Sequence, residues 1–142
     1  GSPGFLKKVD EKTLGFAEDF PGYQELLRGA AAGLAAIGAR GNGEAVTMLL
    51  DVGVPSQDPV RAPVALALGL VALRNTPLLL EVLEARSDQA DALSLVAEGF
   101  DMLEEDLEEE RFFAAVRRAY WAAPDASPRR ALCERLITKL DF

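Results

Sequence analysis

The chain has 142 residues, 49% hydrophobic and 27% charged, a balance that suits one globular domain and excludes wholesale disorder. A formal charge of −8 argues against nucleic acid and anionic membrane surfaces as partners, because both need a basic footprint. With no histidine and a single cysteine, Cys133, the sequence holds neither a disulfide framework nor a Cys–His or Ser–His nucleophile.

Gly1-Ser2-Pro3-Gly4 reads as an expression scar, leaving residues 5–142 as a single helical domain, excised from a longer protein on one reading. Asp10 to Phe20 is expected to form one helix or an irregular helical turn. The alanine-rich stretch from Gly22 to Ala39 predicts a helix with Leu26, Leu27, Ala30, Leu34 and Ile37 on its inner face. Gly29 and Gly33 lie one turn apart there, and each costs roughly 1 kcal/mol in an exposed helix, so a close-packed neighbour is expected. Gly41-Asn42-Gly43 is a turn before a short helix from Glu44 to Val52 that ends at Gly53.

Asp58-Pro59 reads as a helix start, an acceptor for free amides followed by a ring that presets φ. Past Arg61 the run to Leu73 is almost free of polar side chains, so this helix must be covered on nearly every side. Counted from Pro59 to Leu73, and carrying Arg61, the apolar run is about five residues short of a membrane span. Pro63 crowds the preceding turn, so either the regular helix begins near Pro63 or its first turn is bent, and the bent turn is the favoured outcome. Thr76-Pro77 and Ser127-Pro128 repeat the cap-plus-proline signal and open a Leu-rich helix to Ala85 and a final helix carrying Leu132, Leu136, Ile137 and Leu140 inward. Between them, Ser87 or Asp88 caps a helix to about Leu103, and Leu107 to Ala122 forms the next, closed by Pro124.

The pieces superpose with a period near 33. Arg28-Gly29-Ala30-Ala31 falls on Arg61-Ala62-Pro63-Val64, and Glu44 to Leu50 falls on Pro77 to Leu83; a looser third copy runs from Gln89 to Val116. Paired helices at this period imply units that bury their faces against their neighbours. Asp58, Val60, Arg61, Ala65, Ala67, Leu68 and Gly69 carry the pattern of an aspartate, a proline, Val-Arg and an alanine-rich helix closing on Leu-Gly. In this the central unit, roughly residues 54–86, resembles the HEAT-like repeats of the bacterial phycobilin-lyase type. The resemblance implies a ladder in which Asp58 caps its helix while Arg61 reaches an aspartate of the neighbouring unit. The flanking copies keep Arg28 and the apolar positions without the Asp-Pro-Val-Arg core. Tetratricopeptide units have a similar period, but their Trp-Leu-Gly-Tyr signature is not found.

Catalytic signals are thin. No phosphate-cradling glycine loop and no dinucleotide fingerprint occurs, so no cofactor is expected, nor a metal, since no loop has the ordered aspartates of a calcium hand. The most distinctive polar feature is the acidic ridge of Asp101, Glu104, Glu105, Asp106, Glu108, Glu109 and Glu110, with several pairs spaced four apart as if on one helix. A solvated ridge that favours a helix dipole is the plain reading; a patch that attracts a basic segment is the functional one. Downstream, Arg111, Arg117, Arg118, Arg129, Arg130, Arg135 and Lys139 reverse the sign, so folding is expected to neutralise the ridge, or two copies to meet head to tail. Phe112, Phe113, Tyr120 and Trp121 read as core beneath the last helix. An exposed Trp121 would instead serve as a partner anchor.

The expected protein is therefore all-α, a short right-handed HEAT-like stack of about seven or eight antiparallel helices, with helices 22–39 and 59–73 inside. Its expected role is a non-catalytic, cytoplasmic scaffold or adaptor that docks another protein through Asp101, Glu104, Glu105, Glu108, Glu109 and Trp121. The rivals are a HEAT-like nucleic-acid enzyme, a helical or lyase-like protein holding a small molecule, and a dimerising structural module.

Overall fold

The computed structural model describes residues 22–142, so the expression scar and the helical reading of Asp10 to Phe20 lie outside the described residues. Seven helices follow: α1 (Tyr23–Ala39), α2 (Gly43–Gly53), α3 (Arg61–Arg74), α4 (Thr76–Glu84), α5 (Gln89–Met102), α6 (Asp106–Ala122) and α7 (Pro128–Leu140). No strand occurs among the described residues, which are all-α.

The apolar run past Arg61 fixes the arrangement. Helix α3 buries Val64, Ala65, Ala67, Leu68, Gly69, Val71 and Ala72, and only its last residue, Arg74, is exposed. It packs against α1, α2, α4, α5 and α6, as a helix without a polar face must. Its closest neighbour is α5. A Cβ added at Gly99 would stand 2.1 Å from the carbonyl oxygen of Ala65, and one at Gly69 would stand 2.8 Å from Leu103 Cδ1. Here two backbones meet with no side chain between them.

Helix α1 has a solvent face, which corrects its placement as an inner helix. Leu27, Ala31, Leu34, Ala35 and Gly38 form its buried stripe, while Leu26 and Ile37 of the expected inner face are exposed. Gly29 and Gly33 have nothing within 4 Å of a built Cβ, so the expected close neighbour is absent among the described residues. Both lie off the buried stripe, and Gly38 makes the close approach instead, 2.9 Å from Val46 Cγ2.

The helix starts show which capping signals the chain uses. Ser127 accepts from the Arg130 amide at 3.2 Å, as its Ser-Pro pair predicts. At the second pair the cap is Asn75, not Thr76: its side chain accepts from the Leu78 amide, and Pro77 sits one place further in. Thr76 instead donates its hydroxyl to the Ala72 carbonyl at 2.7 Å. Asp58-Pro59, joined by a cis peptide bond, forms a turn ahead of α3 rather than its first turn, and Asp58 accepts from the Ala62 amide at 3.0 Å. Regular helix begins at Arg61, which places Pro63 third, where a missing N–H costs nothing. The favoured bent first turn is thereby corrected in favour of a regular helix that begins close to Pro63. Before α2, Gly41 turns the chain at φ 115° and Asn42 caps the helix through the Ala45 amide.

Arg61 joins three elements. Its Nε donates to both carboxylate oxygens of Glu98 at 3.0 and 2.9 Å, and its Nη1 to the carbonyls of Gly53 and Val54, both at 3.1 Å. The end of α2, the start of α3 and the middle of α5 are tied by one guanidinium, and the acidic partner is a glutamate. Arg86 acts likewise, gripping Asp88 and reaching Asp51 on α2 at 2.9 Å. Cys133 is wholly buried in α7, and burial pushes its thiol up from the ordinary value, which suits a small core residue.

Candidate functional site

The acidic ridge forms where α5 ends and α6 begins. Leu103 leaves the helix in extended conformation, and α6 restarts at Asp106. The ridge is therefore broken by a loop. Of the expected pairs four apart, only Asp106 with Glu110 lies on one helix; Asp101–Glu105, Glu104–Glu108 and Glu105–Glu109 straddle the turn. Glu105 precedes the helix with no side-chain cap, so the first-turn carboxylates of Asp106, Glu108 and Glu109 face the free amides electrostatically.

Asp101, Glu104, Glu105, Asp106, Glu108 and Glu110 are exposed, and Glu109 is half-buried. Burial, followed by the charges of Asp106, Asp101, Glu105 and Glu110, pushes the Glu109 carboxyl above its ordinary value. None of these acids has an ion-pair partner among the described residues. The expected neutralisation by downstream arginines does not occur: Arg129 pairs with Glu84 and Arg130 with Asp125. Nor does any set of three carboxylates converge into a metal-binding group among the described residues. Apolar surface lies within the ridge, with Met102 44% and Leu107 71% exposed.

The aromatic cluster divides. Phe112 is buried against Phe100 with ring centroids 4.9 Å apart, and half-buried Phe113 stacks on Phe142 at 4.2 Å. Trp121 is 73% exposed, which corrects its reading as core. Its ring meets Tyr120 edge-on at 5.1 Å, and Arg130 lies over both rings, 4.4 Å from the Tyr120 centroid and 5.5 Å from that of Trp121. Trp121 sits 14 residues from Leu107 on the same helix, about 21 Å along its axis, so ridge and tryptophan occupy opposite ends of one face.

Sequence reasoning missed a second feature, an open hollow of about 890 Å³ between α2 and α4. Met48, Leu78 and Val82 give it apolar surface, and Glu44, Asp51 and Glu81 bring carboxylates to its lining. The signal was present in the superposition of Glu44–Leu50 on Pro77–Leu83, which sets the outer faces of these two helices side by side. No helix among the described residues is long and apolar enough to cross a membrane. No protein-family model, curated protein or solved structure matches the chain.

Proposed function

We propose that this chain is a non-catalytic, cytoplasmic protein-docking module, built as a short HEAT-like stack of helical hairpins, that captures a basic segment of another protein. The single observation that carries the reading is the α5–α6 turn, where carboxylates with no ion-pair partner among the described residues flank exposed Met102 and Leu107. A positively charged segment with an apolar residue would relieve the repulsion gathered on Glu109 and cover the apolar surface at once.

Burial at the 33-residue period supports the stack. Leu27, Ala31, Leu34, Ala35 and Gly38 of α1 correspond to Val60, Val64, Ala67, Leu68 and Val71, and every member of each pair is buried. The same spacing relates Val46 and Leu50 to Leu79 and Leu83, and these in turn to Phe112 and Val116. Arg61 holding Glu98 resembles the ladder expected between neighbouring units, with glutamate in place of aspartate.

The test is fluorescence anisotropy of a labelled Lys- and Arg-rich peptide, with an acidic peptide and duplex DNA as controls. Binding of the basic peptide alone is expected, lost when Glu104, Glu105, Glu108 and Glu109 are changed together to lysine. Unchanged binding by that variant would overturn the assignment. Folding should persist, since three of the four side chains are exposed and each exposed charge change shifts stability by about 0.5 kcal/mol or less; a far-UV circular dichroism spectrum checks it, and the triple variant of Glu104, Glu105 and Glu108 spares the half-buried Glu109. The α2–α4 hollow favours a second reading, a small molecule held between helices, which a ligand-induced rise in melting temperature would reveal.

A further inference from the structure

We infer that the hollow between α2 and α4 is a second docking trough, and that its occupant is a cationic amphipathic helix of another protein. The inference goes beyond the capture of a basic segment at the α5–α6 turn and does not rest on it.

Two helix rows shape the trough. Met48 on α2 and Leu78 and Val82 on α4 are half-buried and form its apolar floor. Gly43, first in α2, lies against α4: a Cβ built on it would stand 3.7 Å from Leu78 Cδ1 and 3.8 Å from Val82 Cγ2. At the other end Asp51 of α2 is joined at 2.9 Å to Arg86, just past α4, and Arg86 also holds Asp88. The two helices therefore run in the same direction, and an ion-pair network closes one end of the space between them. Glu44 stands one turn before Met48 on the α2 wall, and Glu81 precedes Val82 on the α4 wall. Both acids are exposed, and neither has an ion-pair partner among the described residues.

Charge selects the chemistry of the occupant. Four carboxylates and one guanidinium line the trough, and that guanidinium is already engaged by Asp51 and Asp88. Any body that covers Met48, Leu78 and Val82 also draws water from Glu44 and Glu81, a loss that only cations on the incoming surface offset. A purely apolar helix, an acidic segment and nucleic acid all fail this condition, and a segment carrying lysine or arginine meets it. Shape selects a helix. The hollow, about 890 Å³, is open, whereas a small ligand is held by burying roughly 70–90% of its surface. A helix needs only one face covered. Three of its turns, about 16 Å, match the 11 residues of α2, and apolar residues at i, i+4 and i+7 reach the floor. Because Glu44 and Glu81 stand on opposite walls, the helix carries bases on both borders of its apolar stripe.

The probe is a synthetic helical peptide of about four turns, with leucine along one face and lysine on both borders, titrated into the isotope-labelled chain and followed by amide chemical shifts. Shifts at Thr47, Met48, Leu78 and Val82 are expected, distinct from any at the α5–α6 turn. Glu44→Lys with Glu81→Lys, both at exposed positions, should weaken binding read at those amides by about tenfold or more and leave shifts at the α5–α6 turn unchanged. Circular dichroism checks that this variant folds. A peptide of the same composition with its leucines scattered should leave α2 and α4 undisturbed. A double variant that binds as tightly as the parent, or a scattered peptide with equal effect, overturns the inference. So does a small molecule that raises the melting temperature where the peptide shifts nothing, which would give the hollow to that rival occupant. Shifts confined to the α5–α6 turn would remove the trough and leave the proposed function standing. Shifts confined to α2 and α4 would do the reverse.

Discussion

Gly33 and Gly99 are the same residue type in the same kind of helix, yet alanine at the two positions should act in opposite directions. At Gly29 and Gly33 a Cβ meets nothing within 4 Å among the described residues, so Gly29→Ala and Gly33→Ala are each expected to stabilise by up to about 1 kcal/mol. At Gly99 the added atom would lie 2.1 Å from the Ala65 carbonyl oxygen, backbone that cannot swing aside, and Gly99→Ala should cost about 3 kcal/mol or more. Urea midpoints of the three variants check both signs. Protonation sets a second residue-level contrast. Hydrogen bonds from Arg61 hold the Glu98 carboxyl below its ordinary value near 4.5, so its contribution is present above that value and lost as pH falls through the lower folded one. Glu109 has the opposite sign: its carboxyl is raised in the fold, so stability is gained as pH falls from neutral through the folded value toward 4.5. Stability measured from pH 7 downward should rise slightly and then fall, with Glu109→Gln removing the rise and Glu98→Gln softening the fall. Both effects are modest, because Glu98 is half exposed and solvent screens the pair.

Among the helices, α3 carries the strongest expectation. Its flanks are covered by five other helices, and amide hydrogen exchange should be slowest from Val64 to Ala72, approaching the rate set by global unfolding, with the outer turns of α6 exchanging faster. Amides of α6 that outlast those of α3 would contradict this. Helix existence was readable from composition and from proline, but helix starts were readable only where one cap candidate stood alone. Ser127 had no competitor. Thr76 had Asn75 beside it, and the amide oxygen of asparagine reached the Leu78 amide while the threonine hydroxyl turned back to Ala72. The inner face of α1 was misread because alanine and glycine dilute its periodicity: Leu26 and Ile37 look like core by type, and small Ala31, Ala35 and Gly38 are core by position. On α6 the aromatic residues were legible as a group, but not the division that buries Phe112 and leaves Trp121 outside.

For the molecule as a whole, the greasy run past Arg61 was enough to expect a helix enclosed by others, and the 33-residue period was enough to pair α2 with α4. The partners in the three long-range ion pairs were not readable, because each pair joins residues far apart in sequence whose meeting depends on how hairpins stack. Arg61 reaches Glu98, Arg86 reaches Asp51, and Arg129 reaches Glu84. Of the downstream arginines expected against the acidic ridge, Arg129 is taken up by Glu84 and Arg130 by Asp125.

The sealed thiol of Cys133 turns the last helix into a clock. A maleimide or disulfide reagent can meet that sulfur only when α7 lifts away, so the alkylation rate counts openings at that end of the protein. Any ligand that braces α7 against α4 and α5 would slow the count, and one that settles elsewhere would leave it ticking at its resting pace.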